Sequence, residues 1–365
     1  MKYVDEFRDP RAVAELVEAI RRINAPRARL MEVCGTHTMS IARYGLRELI
    51  EKQADLIAGP GCPVCVTAQG DIDWFLEAAR LPGVIATTFG DMMRVPGSFS
   101  SLERARAQGA GVRVVYSPAD AVELARRHPD RQVVFFGVGF ETTAPAVAMS
   151  VLEARGEGVT NYSVFSAHKL IPPALKALVA APDLAVDGFI CPGHVSVIIG
   201  SRPYEFVARE HGVPCVIAGF EPVDVLQSVR MLLAQVAAGR SEVEIEYGRA
   251  VTPEGNPRAR AVAGEVFEVV DARWRGLGDV PDSGLAFNAA HADMDARRRF
   301  DVEPPPAVEP AGCRCGEVLR GVIQPEECGL FGRRCTPREP VGACMVSSEG
   351  ACAARYRYRR TENAK

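Results

Sequence analysis

The chain has 365 residues, 47% of them hydrophobic and 24% charged, with 43 basic against 46 acidic side chains and a mean hydropathy of 0.00. That balance excludes a disordered or collagen-like chain and leaves room for two or three cored domains. It also gives no electrostatic footprint for nucleic acid: only the last eleven residues, with Arg355, Arg357, Arg359, Arg360 and Lys365, are locally basic, and they read as a solvated tail.

No apolar run approaches the ~20 residues that span a bilayer. The opening MKYVDEFRDPR is too charged for a signal-peptide core. No membrane partner is therefore expected, and a cytoplasmic location is. In that reducing compartment the eleven cysteines are not expected to be structural disulfides.

Residues 1–28 are expected to form an N-terminal helix that packs with the C-terminal region. From Arg29 to Glu246, short β-rich runs then alternate with helical stretches. The runs are RLMEVC, DLIAGP, GVIATTF, VRVVYS, QVVFFGV, YSVFS, DGFICP and VPCVIAG. Each is apolar on successive residues, as strands buried on both faces of a parallel sheet are. Between them lie helical segments such as MSIARYGLRELIEK, DIDWFLEAAR, PADAVELARRH and PVDVLQSVRMLLAQVAAG. This βαβα pattern predicts right-handed crossovers and parallel sheets. Eight strands of this kind close one barrel or divide between two doubly wound sheets.

Two recurrences favour the second arrangement. Cys34-Gly35-Thr36-His37 is echoed by Cys191-Pro192-Gly193-His194, and Gly139-Phe140-Glu141 by Gly219-Phe220-Glu221. The expected fold class is thus α/β, with two doubly wound parallel-sheet (Rossmann-like) domains plus a small Cys-rich iron–sulfur domain. The first α/β domain is placed at 29–135 with the CGTH and GPGCPVC motifs. The second is placed at 136–250 with GFETTAP and CPGHVS, and the remainder at 251–365. In that remainder PRARAVAGEVFEVVDARW reads as one helix, WRGLGDVPDSGLAF as an irregular or edge strand, and DVEPPPAVEPAG as a linker.

The motifs fall at strand ends, where open α/β sheets place their ligand crevices. In Gly59-Pro60-Gly61-Cys62-Pro63-Val64-Cys65 two thiols stand at the start of a helix, whose partial positive charge favours thiolate. The spacing suits a small redox disulfide or two ligands to a metal. The thiol and imidazole of Cys34 and His37 could ligate a soft metal, act as nucleophile and base, or serve the structure alone. Asp91, Glu141 and His194 follow other strands and bring carboxylates and an imidazole to the same edges. Neither a GxxxxGK[ST] loop nor a GxGxxG fingerprint occurs, so nucleotide binding is unsupported.

Six cysteines, 313, 315, 328, 335, 344 and 352, fall within 40 residues near the C-terminus. None of their gaps, apart from Cys313-x-Cys315, is shorter than six residues, so the Cys-x2–4-Cys pairs of zinc ribbons are missing. Widely spaced thiolates on a Gly-rich segment suit a [4Fe–4S] cluster better, with zinc or free thiols as the alternatives.

Taken together, MEVCGTHT, GPGCPVC, TTFGDMMRVPG, GFETTAP, CPGHVS and CRCGEV…PEECGLFGRRCTP…GACMVSSEGACAARYRY resemble the hydrogenase maturation factor family HypD, from Met31 to Tyr358. The resemblance implies a scaffold on which the iron of [NiFe]-hydrogenase acquires two cyanides and one carbon monoxide. It implies a complex with a small HypC-type chaperone, and a HypE-type cyanide donor with HypF upstream. It implies two similar α/β domains and a third that holds a [4Fe–4S] cluster. By the same resemblance Cys34 helps hold the iron being assembled, His37 is a possible further contributor, and Cys62 and Cys65 are the redox-active pair. Asp91, Glu141 and His194 line the cleft, and Cys315, Cys328, Cys335 and Cys352 are chosen as cluster ligands, with Cys313 and Cys344 spare. The alternative is a freestanding iron–sulfur thiol/disulfide oxidoreductase acting on client proteins, and a structural zinc protein ranks third.

Overall fold

A computed structural model describes residues 5–182 and 184–358. The basic tail expected at the C-terminus therefore lies partly outside the described residues. All eight expected strands form: β1 (Ala28–Glu32), β2 (Ala54–Ala58), β3 (Val84–Thr88), β4 (Val112–Val114), β5 (Gln132–Gly137), β6 (Tyr162–Ser166), β7 (Gly188–Pro192) and β8 (Cys215–Ala218). A short β9 (Val243–Ile245) adds to the edge beside β8.

They form two open, wholly parallel sheets and not a barrel, in the orders β2-β1-β7-β8-β9 and β4-β3-β5-β6. The continuous apolar runs explain the parallel pairing. Every residue of β3 and of β7 is buried, which only helices on both faces allow. The α/β, Rossmann-like class is thus what the chain adopts, with a Cys-rich region near the C-terminus.

The division of the chain differs from expectation. The chain lays down β1 and β2 in the first sheet, crosses to build β3 to β6 of the second, and returns for β7 to β9. A boundary at 135/136 would cut through β5, and the CPGHVS motif belongs to the first sheet, on β7 directly beside β1. The CGTH and CPGH echo therefore marks two neighbouring strand ends of one sheet, not equivalent points of two halves.

Both sheets reverse their strand order at one place, between β1 and β7 in the first and between β3 and β5 in the second. Such switch points open a crevice at the carboxyl ends of the strands. Cys34 and His194 flank the first, and Asp91 and Glu141 the second.

The two sheets share one core. Met31, Ile57 and Phe189 of the first pack in the same cluster as Phe136 and Phe165 of the second. Between them Phe75 stacks on Phe136 at 4.4 Å and Trp74 on Phe165 at 4.6 Å. The N-terminal helix Pro10–Arg21 packs chiefly on helix Pro222–Ala237. Its Val17 and Ile20 bury against Ile41, Leu226 and Val229 on the outer face of the first sheet, because its apolar stripe matches that of helix Pro222–Ala237.

The segment read as one helix over 257–274 divides in two. Asn256 accepts from the Ala259 N–H and caps a helix over Pro257–Val266. From Phe267 the side chains turn β-branched and aromatic, and the chain runs on as β10 (Phe267–Trp274). β10 pairs antiparallel with β11 (Gly278–Phe287). This hairpin lies against the second sheet, where the Leu170 N–H donates to the Ser283 carbonyl at 2.9 Å.

The stretch over 301–310 has no regular structure, as the linker reading expects. Beyond it, helix Ala351–Tyr358 packs on helix Gly35–Tyr44, and the turn Ala343–Met345 packs on the short helix Pro63–Val66. No helix among the described residues is long and apolar enough to cross a membrane.

Candidate functional site

Cys34 ends β1 and caps helix Gly35–Tyr44 with an extended backbone. Its thiol is buried. Loss of hydration and then the nearby Glu349 carboxylate push it up to about 12, against the opposing pull of the His37 and Thr36 N–H groups. The thiol is neutral at pH 7, so a soft cation that binds there must displace its proton.

Two glycines hold the surroundings at contact distance. The Gly35 N–H donates to the Gly61 carbonyl at 2.8 Å, locking the CGTH and GPGC loops together. A Cβ on Gly35 would stand 2.5 Å from the Cβ of Glu349, so the MVSSEG segment closes over the same loop.

Cys62 and Cys65 are joined as a disulfide, with Cα atoms 5.2 Å apart, inside the normal span for such a bond. Cys62 is the N-cap of Pro63–Val66, as the sequence expects, and its Sγ accepts from the Cys65 N–H at 3.2 Å.

Glu32 and Glu349 are the acidic residues that the sequence reading missed. Glu32 is fully buried two residues before Cys34. It accepts from the Cys34 N–H at 3.2 Å and from the Thr38 hydroxyl, and burial pushes its carboxyl up to about 8. Glu349 accepts from the Thr36 hydroxyl at 2.7 Å, and burial raises its carboxyl. A charged residue inside the apolar run RLMEVC is the one signal that pointed to Glu32. Asp91 joins this group from the second sheet: it accepts from the Ser347 hydroxyl at 2.8 Å, and its charge reaches Glu349.

His37 is buried, and its Nε2 lies 2.8 Å from the Gly219 carbonyl, so that nitrogen carries the proton and donates. Nδ1 is left as a buried lone pair without a hydrogen-bond partner, and burial brings the imidazole down to about 4. Phe220 stacks between His37, at 5.0 Å, and the exposed His194, at 3.9 Å. His194 is thereby tied to the Cys34 helix through an aromatic ring.

Glu141 has different surroundings. One of its carboxyl oxygens accepts from the Ile171 N–H at 2.9 Å at the start of helix Ile171–Val179, and its other oxygen is buried without a partner. Burial pushes its carboxyl up to about 7. Because this folded value exceeds the ordinary carboxyl value of 4.5, the native state holds a proton that the unfolded chain releases in between. The associated stability is complete below about pH 4.5 and is lost as pH rises through about 7, on the order of 3 kcal/mol. Glu141→Gln keeps the acceptor for Ile171 without a charge. Urea unfolding should therefore show a flatter stability profile between pH 5 and pH 8 than wild type. Parallel profiles for the two proteins would refute a buried neutral Glu141.

The C-terminal thiols converge. Cys313, Cys315, Cys328, Cys335, Cys344 and Cys352 line one cavity of about 20 Å³ with Val318, Leu330, Phe331 and Met345. The sulfurs of Cys315 and Cys344 are 2.8 Å apart, and Cys335 accepts from the Val341 N–H at 3.4 Å. Hydrogen bonding to Cys315 and burial push the Cys313 thiol far up, and burial does the same for Cys352.

Among the described residues no three His, Cys, Asp or Glu side chains are arranged to hold a single metal ion. The donor set is nevertheless all sulfur, enclosed and rimmed by apolar side chains. It fits an iron–sulfur cluster in kind, since soft thiolates from separate turns are what such a cluster takes.

These three sets of thiols are contiguous. The Cys34 loop touches the Cys62 loop through Gly61, and the Cys65 helix packs on the turn that carries Cys344.

A family model for HypD, described as "Hydrogenase formation hypA family", matches residues 11–359. The chain is 50% identical over 373 residues to hydrogenase maturation factor HypD of Azotobacter vinelandii, covering 100% of this chain and 98% of that protein. It is 49% identical over 370 residues to the Cupriavidus necator HypD, covering 99% and 98% of the two chains. With the Escherichia coli K12 HypD it shares 46% over 371 residues, covering 100% of both.

Proposed function

The chain belongs to the HypD family and has a role in hydrogenase maturation, and on that premise we propose that it is the scaffold on which the hydrogenase iron receives its cyanide and carbon monoxide ligands. The observation that carries the reading is the unbroken contact from Cys34, through the Cys62–Cys65 pair, to the C-terminal thiol cavity.

In this reading the iron is cargo. Cys34 supplies the chain's own thiolate to it from the β1/β7 switch point, and a small HypC-type chaperone completes the hold from outside. A HypE-type protein, with HypF upstream, delivers cyanide to this complex. His37, with its bare Nδ1 beside the crevice, is a possible second contributor. Thr36 and Asp91 hold Glu349 and Ser347 across the loop, and the Glu349 carboxylate, whose charge reaches Cys34, can take the proton that Cys34 gives up. Asp91, Glu141 and His194 shape the strand-end clefts. Cyanide and carbon monoxide bind low-spin ferrous iron, which soft thiolates hold well.

Cys62 and Cys65 exchange between dithiol and disulfide, and so store two electrons next to the cargo. Cys315, Cys328, Cys335 and Cys352 of the C-terminal cavity would hold a [4Fe–4S] cluster, and such a cluster would supply single electrons. The cytoplasm is the compartment that keeps the remaining thiols reduced.

The test is anaerobic co-purification with a HypC-type partner, followed by iron analysis and infrared spectroscopy. Bands from iron-bound cyanide and carbon monoxide are expected, and the protein should be brown. Cys328→Ala and Cys335→Ala should each bleach it, while Cys191→Ala should not. A brown colour retained in both of the first two variants would refute the ligand assignment. Steady-state dithiol turnover without any partner, and no diatomic bands with one, would favour the freestanding thiol/disulfide oxidoreductase.

A further inference from the structure

Arg275 lies at the start of the turn between β10 and β11, where the hairpin reaches two other parts of the molecule. Its N–H donates to the Val66 carbonyl at 2.8 Å. Its Nε donates to the Thr67 carbonyl at 3.2 Å, and its Nη2 to Oε1 of Gln69 at 2.6 Å. Val66 and Thr67 are the residues that follow Cys65, so the guanidinium clasps the exit of the redox-pair helix. On the other side, Gly276 packs backbone to backbone on Gly316, next to Cys315. A Cβ on Gly276 would stand 2.8 Å from the Gly316 Cα.

The side chain is only 4% exposed, yet the oxygens it binds are those of neutral amides. A buried cation held by neutral groups is costly unless an anion stands close by. The C-terminal thiols lie beside it: Gly276, its chain neighbour, meets Gly316 next to Cys315, and the redox-pair helix whose exit it clasps packs on the turn that carries Cys344.

We propose that Arg275 is the built-in counter-cation of the C-terminal thiol centre, fixed in place by the redox-pair segment. The inference rests on the reading of that centre as an iron–sulfur site. Four thiolates around such a cluster leave a net negative charge that grows by one on reduction. A fixed cation beside it favours the reduced form and so raises the reduction potential. Arg275 thus acts through the centre, as a positioning charge, and also sets the orientation of the segment leaving Cys65.

The experiment compares full-length wild type, Arg275→Lys and Arg275→Gln, all purified anaerobically. Iron and acid-labile sulfide are counted, and the reduction equilibrium is followed by electron paramagnetic resonance during a redox titration. Arg275→Lys keeps the charge and loses the fork, and its reduction equilibrium should stay within threefold of wild type. Arg275→Gln should shift the equilibrium at least tenfold toward the oxidised form, about 59 mV for a one-electron couple.

A wild-type potential in Arg275→Gln overturns the proposal. Equal shifts in both variants also overturn it, because the fork and not the charge would then matter. If Arg275→Gln fails to fold while Arg275→Lys folds with the wild-type potential, the charge is again what the site requires. Failure of both to fold reduces Arg275 to a structural clasp and overturns the counter-cation.

A wild-type chain without iron and sulfide refutes the iron–sulfur reading itself, and the counter-cation falls with it; a loaded wild type beside an unshifted Arg275→Gln overturns the counter-cation alone.

Discussion

Cys34→Ser is expected to abolish the cyanide and carbon monoxide infrared bands of the partner complex and to lower hydrogenase maturation at least a hundredfold. The fold should remain intact. Cys34 occupies the N-cap of helix Gly35–Tyr44 with φ −149° and ψ 122°, and its thiol makes no capping bond there. Serine is a preferred residue at such a position, and its hydroxyl can accept from the free N–H groups of the first turn. The variant should therefore melt at or slightly above the wild-type temperature, so that a loss of activity cannot be assigned to unfolding. The C-terminal cavity contains none of the Cys34 atoms, and the brown colour should persist. What the serine lacks is a soft, ionisable donor. The thiol it replaces is held up to about 12 by burial and by Glu349, and it becomes a thiolate only when a cation arrives to displace the proton. Full infrared bands in Cys34→Ser would mean that other groups hold the iron. His37 is then the first to examine, through its unpartnered Nδ1.

The strands were legible because each is a continuous apolar run, and that pattern depends on local sequence alone. All eight expected runs became strands of parallel sheets. Which sheet each strand joins is not local. The echo of CGTH in CPGH pointed to two consecutive halves, whereas the β1–β7 pairing seats both motifs in one sheet across 155 residues of intervening chain from Leu30↔Gly188 to Glu32↔Ile190.

The same distinction separates the site residues that were readable from those that were not. Cys62 and Cys65 announce themselves by spacing, and the sharp loop of two glycines and two prolines placed them at a helix start. Thr36 and Glu349 are 313 positions apart, and no period or spacing could join them. Arg275 was hidden for another reason. PRARAVAGEV runs into FEVVDARW without a glycine or proline at the junction, so the helix masked the strand that delivers it. The choice of four ligands among six thiols came with the family resemblance, and convergence of all six on one cavity is a property of the folded turns.

Gly61→Ala is expected to be among the most damaging single-methyl changes in the molecule. An alanine Cβ at this position would lie 2.1 Å from the Cys34 nitrogen, 2.3 Å from the Val33 carbonyl carbon and 2.4 Å from the Cys34 Cα. All three are backbone atoms at the end of β1, so no side-chain rotation relieves the overlap and one of the two loops must move. Movement breaks the bond from the Gly35 N–H to the Gly61 carbonyl and separates the Cys34 thiol from the Cys62–Cys65 pair. Overpacking against fixed backbone costs about 3 kcal/mol or more. The matched control is Gly264→Ala, in the last turn of helix Pro257–Val266, where the added Cβ meets nothing within 4 Å. There the methyl removes backbone freedom from the unfolded chain and should stabilise by roughly 0.5–1 kcal/mol. Thermal unfolding of the two variants under reducing conditions should therefore move in opposite directions, with Gly61→Ala much the larger change. Gly61→Ala should also form the Cys62–Cys65 disulfide more slowly in differential alkylation, since Gly61 directly precedes Cys62. A Gly61→Ala protein that melts within two degrees of wild type would show that the CGTH and GPGC loops are not locked together. The contact chain from Cys34 to the C-terminal thiols would then lose its first link.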